Sequence, residues 1–289
     1  MDYGTIFNLR PPAGVCPAVS CAWTHTVLYS FTGQEDGMYP MGGLAFDQQG
    51  NLYGSTYGYS GSRDSHQCCT LRSDVSGNPS VWKLAKLNGI WTFTLLWDFP
   101  NYNDAEDVLG VTLGPSGTLY GASSAGGEYD AGTIFQLTQS GGQWTEQILH
   151  SFNSQTEDTT PMGGLTIDQS GNLYGSTYSY GSIFQLAQSN GAWTFNTIHQ
   201  WSDIDGPLNM LGIDAQGNLY GYIDSIYLFE VAPSDGSWVY TTLYGFGNGR
   251  DGQPAVPTGV PVIDASGNIY GESTAGGEYD LGTIWEYTP

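Results

Sequence analysis

The sequence predicts an all-β protein, a five-bladed β-propeller with four antiparallel strands per blade, on three observations. First, 42 of the 289 residues are Gly, 14 are Pro and 40 are aromatic (9 Trp, 20 Tyr, 11 Phe), while only 12% are charged. That is the composition of a turn-rich β protein. Second, one tetrad with its preceding glycine recurs in register. Gly50-Asn51-Leu52-Tyr53-Gly54 returns as Gly117-Thr118-Leu119-Tyr120-Gly121, Gly171-Asn172-Leu173-Tyr174-Gly175, Gly217-Asn218-Leu219-Tyr220-Gly221 and Gly267-Asn268-Ile269-Tyr270-Gly271. Third, the final glycines of the five copies lie 67, 54, 46 and 50 residues apart, enough for about four short strands each, with a long insertion in the first repeat.

The elements follow in order within each repeat. A short apolar run, such as Leu44-Ala45-Phe46 or Leu165-Thr166-Ile167, leads into a turn opened by Asp47 or Asp168 and closed by Gly50 or Gly171. Asp caps such a turn with its own carboxylate and Gly supplies the positive φ. This run is the first, innermost strand. Gly43, Gly110 and Gly164 align within it, where small residues let blades crowd the axis, and Pro261 is tolerable there because the strand is an edge. The tetrad is the second strand. The third is an apolar run, Val81-Trp82-Lys83-Leu84, Ile134-Phe135-Gln136-Leu137, Ile183-Phe184-Gln185-Leu186 or Tyr227-Leu228-Phe229-Glu230-Val231. The fourth starts at a tryptophan, Trp91, Trp144, Trp193 or Trp238, and ends at Phe99, Phe152, Trp201 or Phe246.

The expected organisation is a single propeller domain over residues 1–289, with repeats at about 32–99, 100–152, 153–201, 202–246 and 247–289 plus 1–31. The last repeat has no fourth-type strand of its own, and Trp23 to Phe31 has the required form, so the N-terminal strand is expected to close the ring by pairing within residues 259–287. Gly4-Thr5-Ile6-Phe7 and Gly282-Thr283-Ile284-Trp285 are then both third-type strands, six of that type for five blades. The surplus copy is either redundant in the ring, where it serves as a fifth strand in one blade, or part of a longer array, or a means of head-to-tail self-association on a neighbour's exposed edge, up to a filament.

The string Asp-Gly-x-x-Pro, Gly-Leu-x-x-Asp-x-x-Gly-Asn-Leu-Tyr-Gly, Gly-Gly-x-x-x-x-Gly-Thr-Ile-Phe, carried by residues 36–54 and 161–186, resembles the repeats of the bacterial choice-of-anchor tandem-repeat GloVer proteins, and more distantly the NHL-type propeller blade. The resemblance covers essentially the whole chain. It implies an exported bacterial propeller, extracellular or at the cell surface, and no catalytic residue. A fainter similarity, limited to blade count and the Leu-Tyr-Gly element, is to five-bladed animal lectins.

Six basic against 28 acidic residues give a formal charge of −22, which repels phosphate backbones and anionic membranes, so nucleic acid is not an expected partner. No run reaches a spanning helix, so membrane insertion is not expected either. Residues 1–30 lack a basic region followed by an apolar core, so a signal peptide is expected to be absent from this chain. In a four-stranded blade, 18 of the 28 acids fall on the loops of one face. The best local candidates for Ca²⁺ are Asp104, Glu106 and Asp107, and Asp203 with Asp205, since this cation takes six to eight oxygens in adaptable geometry. The competing reading is a set of solvated loops.

Cys16 and Cys21 are predicted to form a local disulfide, and Cys68 with Cys69 a vicinal one, consistent with an oxidising compartment. Zinc would need four converging ligands, and no Cys-x-x-Cys pair is present. His150 and His199 occupy the column of Tyr29, Trp97 and Tyr244 and are predicted to pack between blades, with His25 similar. No nucleophile elbow or phosphate loop occurs. The function expected is non-catalytic, structural or adhesive, with carbohydrate binding through loop tyrosines such as Tyr129 and Tyr178 as the alternative, and a carboxylate-pair glycoside hydrolase as a further one.

Overall fold

A computed structural model describes residues 3–12, 23–57, 78–99, 105–155, 159–178, 181–201, 211–223, 226–246, 259–274, 276–277 and 281–289. The architecture is an all-β five-bladed propeller. An N-terminal pair, β1 (Thr5–Arg10) and β2 (Thr24–Ser30), precedes four complete blades. The first complete blade is β3 (Met38–Phe46), β4 (Leu52–Tyr57), β5 (Ser80–Leu87) and β6 (Ile90–Asp98), and the second is β7 (Glu106–Leu113), β8 (Leu119–Ala125), β9 (Thr133–Ser140) and β10 (Gln143–Ser151). The third blade contains β11 (Thr166–Ile167), β12 (Leu173–Thr177), β13 (Ser182–Ser189) and β14 (Ala192–Gln200). The fourth contains β15 (Gly212–Ile213), β16 (Leu219–Ile223), β17 (Tyr227–Ser234) and β18 (Ser237–Gly245). The chain ends in a three-stranded sheet of β19 (Val262–Ile263), β20 (Ile269–Ser273) and β21 (Thr283–Tyr287). Every pairing is antiparallel between sequence neighbours.

The tetrad now has a physical account. Its last glycine faces the aromatic ring of the third strand directly across the ladder, in the pairs Gly54–Trp82, Gly121–Phe135, Gly175–Phe184, Gly221–Phe229 and Gly271–Trp285. A Cβ on any of the five would strike that ring. Its Asn and Tyr complete the preceding turn. Asp168 Oδ1 accepts the amides of Ser170 and Asn172, both at 2.8 Å, and Oδ2 accepts the Asn172 amide group at 2.8 Å and the Tyr174 hydroxyl at 3.0 Å. Asp47, Asp214 and Asp264 repeat the same four-bond arrangement. In the second blade Gly114-Pro115-Ser116-Gly117 replaces it, a 3₁₀ turn with Ser116 at φ 60, and Tyr120 lies over Gly114, where a Cβ would collide with its ring.

Blades are joined by a recurrent aromatic contact. The residue ending each fourth strand packs edge-on or tilted against the third-strand aromatic of the next blade: Phe31 on Trp82 (5.7 Å between centroids), Phe99 on Phe135 (5.0 Å), Phe152 on Phe184 (5.5 Å), Trp201 on Phe229 (5.6 Å) and Phe246 on Trp285 (4.9 Å). Near the axis, a Cβ on Gly42 would strike the Leu109 carbonyl of the next blade, whereas one on Gly110 would come no nearer than an ordinary 3.6 Å to its neighbours and Gly43 has open space, so the close approach falls on Gly42 rather than on the aligned Gly43 and Gly110. Thr112 Oγ1 and Thr166 Oγ1 donate across blades to the carbonyls of Leu165 and Leu211.

One expectation is corrected. The Trp23 to Phe31 strand does not pair within residues 259–287; β2 pairs with β1 and the C-terminal sheet keeps three strands. Nor does either surplus copy act as a fifth strand, because β1 and β21 lie in separate sheets. The physical reason is local competition. β1 carries the same Gly-Thr-Ile-aromatic run as β21 and offers β2 an equivalent ladder after thirteen intervening residues, whereas β21 is more than two hundred residues away and carries a larger closure entropy.

Candidate functional site: the split fifth blade

Along the four complete blades, the polar groups that recur are consumed in packing. Buried hydroxyl pairs link second and third strands, Thr56 with Ser80 (2.6 Å), Ser123 with Thr133 (2.8 Å) and Thr177 with Ser182 (2.7 Å). Sequence reasoning missed these pairs, although the Ser or Thr two residues beyond the tetrad in three of these repeats marks them. Burial and the neighbouring Asp168 carboxylate push the Tyr174 phenol up to about 12. Burial alone would raise the Asp36 carboxyl, but bonds from the Thr32 hydroxyl (2.6 Å) and amide (2.8 Å), the Tyr29 hydroxyl (2.9 Å) and the Gln34 amide (3.3 Å) hold it below the usual carboxylate range.

His150 and His199 are packing residues, as expected. His150 stacks on Phe195 with centroids 4.2 Å apart, and His199 stacks on Tyr240 at 4.6 Å, where burial lowers its pKa. His25 differs in being exposed, with its ring 5.1 Å from Phe7.

Of the calcium candidates, Asp104, Asp203 and Asp205 lie outside the described residues. Glu106 and Asp107 belong to the start of strand β7 rather than to a loop, and Asp107, at φ 57, accepts a bond from Ser124 Oγ at 3.3 Å. Among the described residues no group of three or more His, Cys, Asp or Glu side chains is placed to hold a metal ion. Cys16, Cys21, Cys68 and Cys69 lie outside the described residues. Among the described residues no helix is long and apolar enough to cross a membrane.

Among the described residues, exposed apolar side chains gather at the two ends of the array. Ile284 is 88% exposed, although its counterparts Val81, Ile134, Ile183 and Leu228 are fully buried. Leu281 beside it is 86% exposed. At the other end Phe7 is 50% exposed, while its counterparts Trp82, Phe135, Phe184 and Phe229 are fully buried, and Phe46 on β3 is 63% exposed. Beside β21, where the other blades hold a fourth strand, is a groove of about 320 Å³ lined by Tyr244, Phe246 and residues 283–287. Of the self-association candidates, Ile6 is buried with Phe31, Leu52, Trp82 and Leu84, Trp285 packs on Tyr222 and Phe246, and Phe7 and Ile284 face outward.

Similar folds occur among solved structures. A candidate 6-phosphogluconolactonase of Bacteroides uniformis matches with a TM-score of 0.56 and 15% identity over 92% of this chain and 71% of its own. The extracellular domain of a candidate hybrid two-component system of B. thetaiotaomicron matches with a TM-score of 0.55 and 11% identity over 87% of this chain and 28% of its own. TolB of Acinetobacter baumannii matches at 0.50 and 11% over 99% and 65%. At such identities the likeness establishes the propeller fold alone. No curated protein matches the chain. Residues 62–227 match the Gloeobacter/Verrucomicrobia repeat, and with more than half of its length in that match the chain belongs to the Gloeobacter/Verrucomicrobia repeat family.

Proposed function

We propose that this chain is a non-catalytic extracellular propeller with a structural or adhesive role, able to associate head to tail. The observation that carries this reading is the pair of exposed apolar end faces, Ile284 and Leu281 at one end and Phe7 and Phe46 at the other. Exposed apolar surface of this kind marks an interaction site rather than a solvated one. A non-catalytic role is supported by four of the five first strands: β3, β11, β15 and β19 carry no carboxylate, β7 alone has Glu106 and Asp107 at its start, and the shared Asp and Tyr groups are engaged in turns. An extracellular setting is supported by the family resemblance and by the two close cysteine pairs in sequence.

Light scattering of the intact chain across a concentration series tests the reading. Mass rising with concentration is the expected result, and a monodisperse monomer at high concentration would overturn the head-to-tail part. Carbohydrate binding is the second reading, favoured by the exposed loop rings of Tyr129 and Tyr178, which present the flat apolar surface that sugar rings stack on. Signal on a glycan array would favour it over the structural role.

A further inference from the structure

We propose that β1 is an intramolecular stand-in for β21, and that copies of this chain join by strand exchange, β21 of one copy replacing β1 on β2 of the next. The proposal rests on the head-to-tail reading and specifies its joint. Gly4-Thr5-Ile6-Phe7-Asn8-Leu9-Arg10-Pro11 aligns without a gap with Gly282-Thr283-Ile284-Trp285-Glu286-Tyr287-Thr288-Pro289. Gly4 and Gly282 adopt φ 104 and 105, the value found at Gly132 (φ 103), which precedes the third strand of a complete blade.

Each copy holds one half of what a complete third strand holds. A Cβ on Gly132 would meet both Ser123 O of its own second strand (2.7 Å) and Pro161 Cδ of the following blade (2.5 Å). At Gly4 the nearest atoms are those of Pro40 in the following blade, and at Gly282 the nearest is Ser273 O of its own second strand (2.5 Å). The Phe152 amide donates to Gly132 O at 3.0 Å, and the Phe31 amide does the same to Gly4 O at 3.0 Å. Ile6 is 6% exposed and Phe7 50%; in β21 the inner residue Trp285 is packed and Ile284 is the one left out. Superposing the two roles in one strand satisfies both faces at once.

The occupant of the groove beside β21 is therefore a fourth-type strand. The described fourth-type strands β6, β10, β14 and β18 each belong to a complete sheet, and β2 alone sits in a two-stranded one, which is marginal in isolation. In the register of β1 on β2, Thr5 opposite Ser30 and Leu9 opposite His25, β21 would set Thr283 opposite Ser30 and Tyr287 opposite His25. His25 would then reach the ring of Tyr244, as Phe195 reaches His150 and Tyr240 reaches His199. The sheet of β19 and β20 would arrive beside β3 and cover Phe46. Within one chain both ends are exposed together, so the partner that continues the repeated blade interface is a second copy.

Ile284→Asp removes the donor end and Phe46→Asp the acceptor end, each at an exposed residue whose change leaves the fold intact, verified by an unchanged melting curve. The expected result is that the intact chain assembles, each variant alone stays monomeric, and an equimolar mixture yields a species of twice the monomer mass. Mixing Ser30→Cys with Thr283→Cys chains should also give an intermolecular disulfide that reductant removes. Assembly of the intact chain without heterodimer or cross-link would overturn the exchange while leaving head-to-tail association standing. A monomer that forms the cross-link only within a chain carrying both cysteines would overturn the second copy as partner, and a monomer with no cross-link would overturn both readings.

Discussion

Gly175→Ala tests the account of the tetrad most directly. The added methyl would point into the Phe184 ring, 3.0 Å from Cε1, and lie 3.1 Å from Leu165 Cδ2. Phe184 is fully buried, wedged between Phe152 and Phe195, both 5.5 Å away, so the ring has no space into which to retreat. Overpacking of this kind costs about 1–3 kcal/mol. At roughly 2–4 °C per kcal/mol for chains somewhat shorter than this one, the melting point should fall by about 4–8 °C for a mid-range loss. Gly171, four residues earlier, is the control. It sits at φ +87 with open space around its Cβ position, so Gly171→Asn should be nearly neutral because Asn tolerates the left-handed region, whereas Gly175→Asn should not. Combining Gly175→Ala with Phe184→Leu should recover part of the loss, with a coupling of about 0.5–3 kcal/mol in a double-mutant cycle of denaturant melts. A Gly175→Ala protein as stable as the parent, or strict additivity with Phe184→Leu, would refute the reasoning.

Trp82→Phe should change stability by no more than about 1 kcal/mol despite complete burial, because its indole N–H finds no hydrogen-bond partner among the described residues and Phe fills the same column in the next three blades; chemical denaturation measures this. Asp168→Ala, which leaves two amides, the Asn172 side chain and the hydroxyl of buried Tyr174 short of an acceptor, should cost about 2 kcal/mol, and the parallel change at Asp214 should cost less, because the Tyr220 hydroxyl keeps Glu230 as an acceptor at 2.8 Å. Burial lowers the His199 pKa below its unfolded value, so the unfolded chain binds the extra proton first and stability falls as pH drops through about 6.5; His199→Phe should flatten that part of the melting profile. Tyr29 and Tyr174 are both pushed up to about 12, by burial first and then by Asp36 and Asp168 respectively, so their contribution is complete below pH 10 and is lost as pH rises toward 12, which ultraviolet titration of the phenols should register together with unfolding.

Much of the fold was legible because each repeat states its own register. The Asp turn, the tetrad and the third-strand aromatic interact over four to eleven residues, or across one hairpin, and such local chemistry is written in spacing. The fourth-strand histidines were also legible as packing, since their column is aromatic in the other repeats. Which strand β2 pairs with was not legible. β1 and β21 have the same pattern, so hydrophobic periodicity cannot rank them, and only the tertiary arrangement decided for the local partner. In the first blade the reason the glycine ends the tetrad was hidden, because the ring that excludes a Cβ at Gly54 comes from Trp82, beyond a long insertion. The exposure of Ile284 and the burial of Ile6, the same residue in the same Gly-Thr-Ile run, came from what the rest of the chain places against each: a following blade covers Ile6, and among the described residues no following blade covers Ile284.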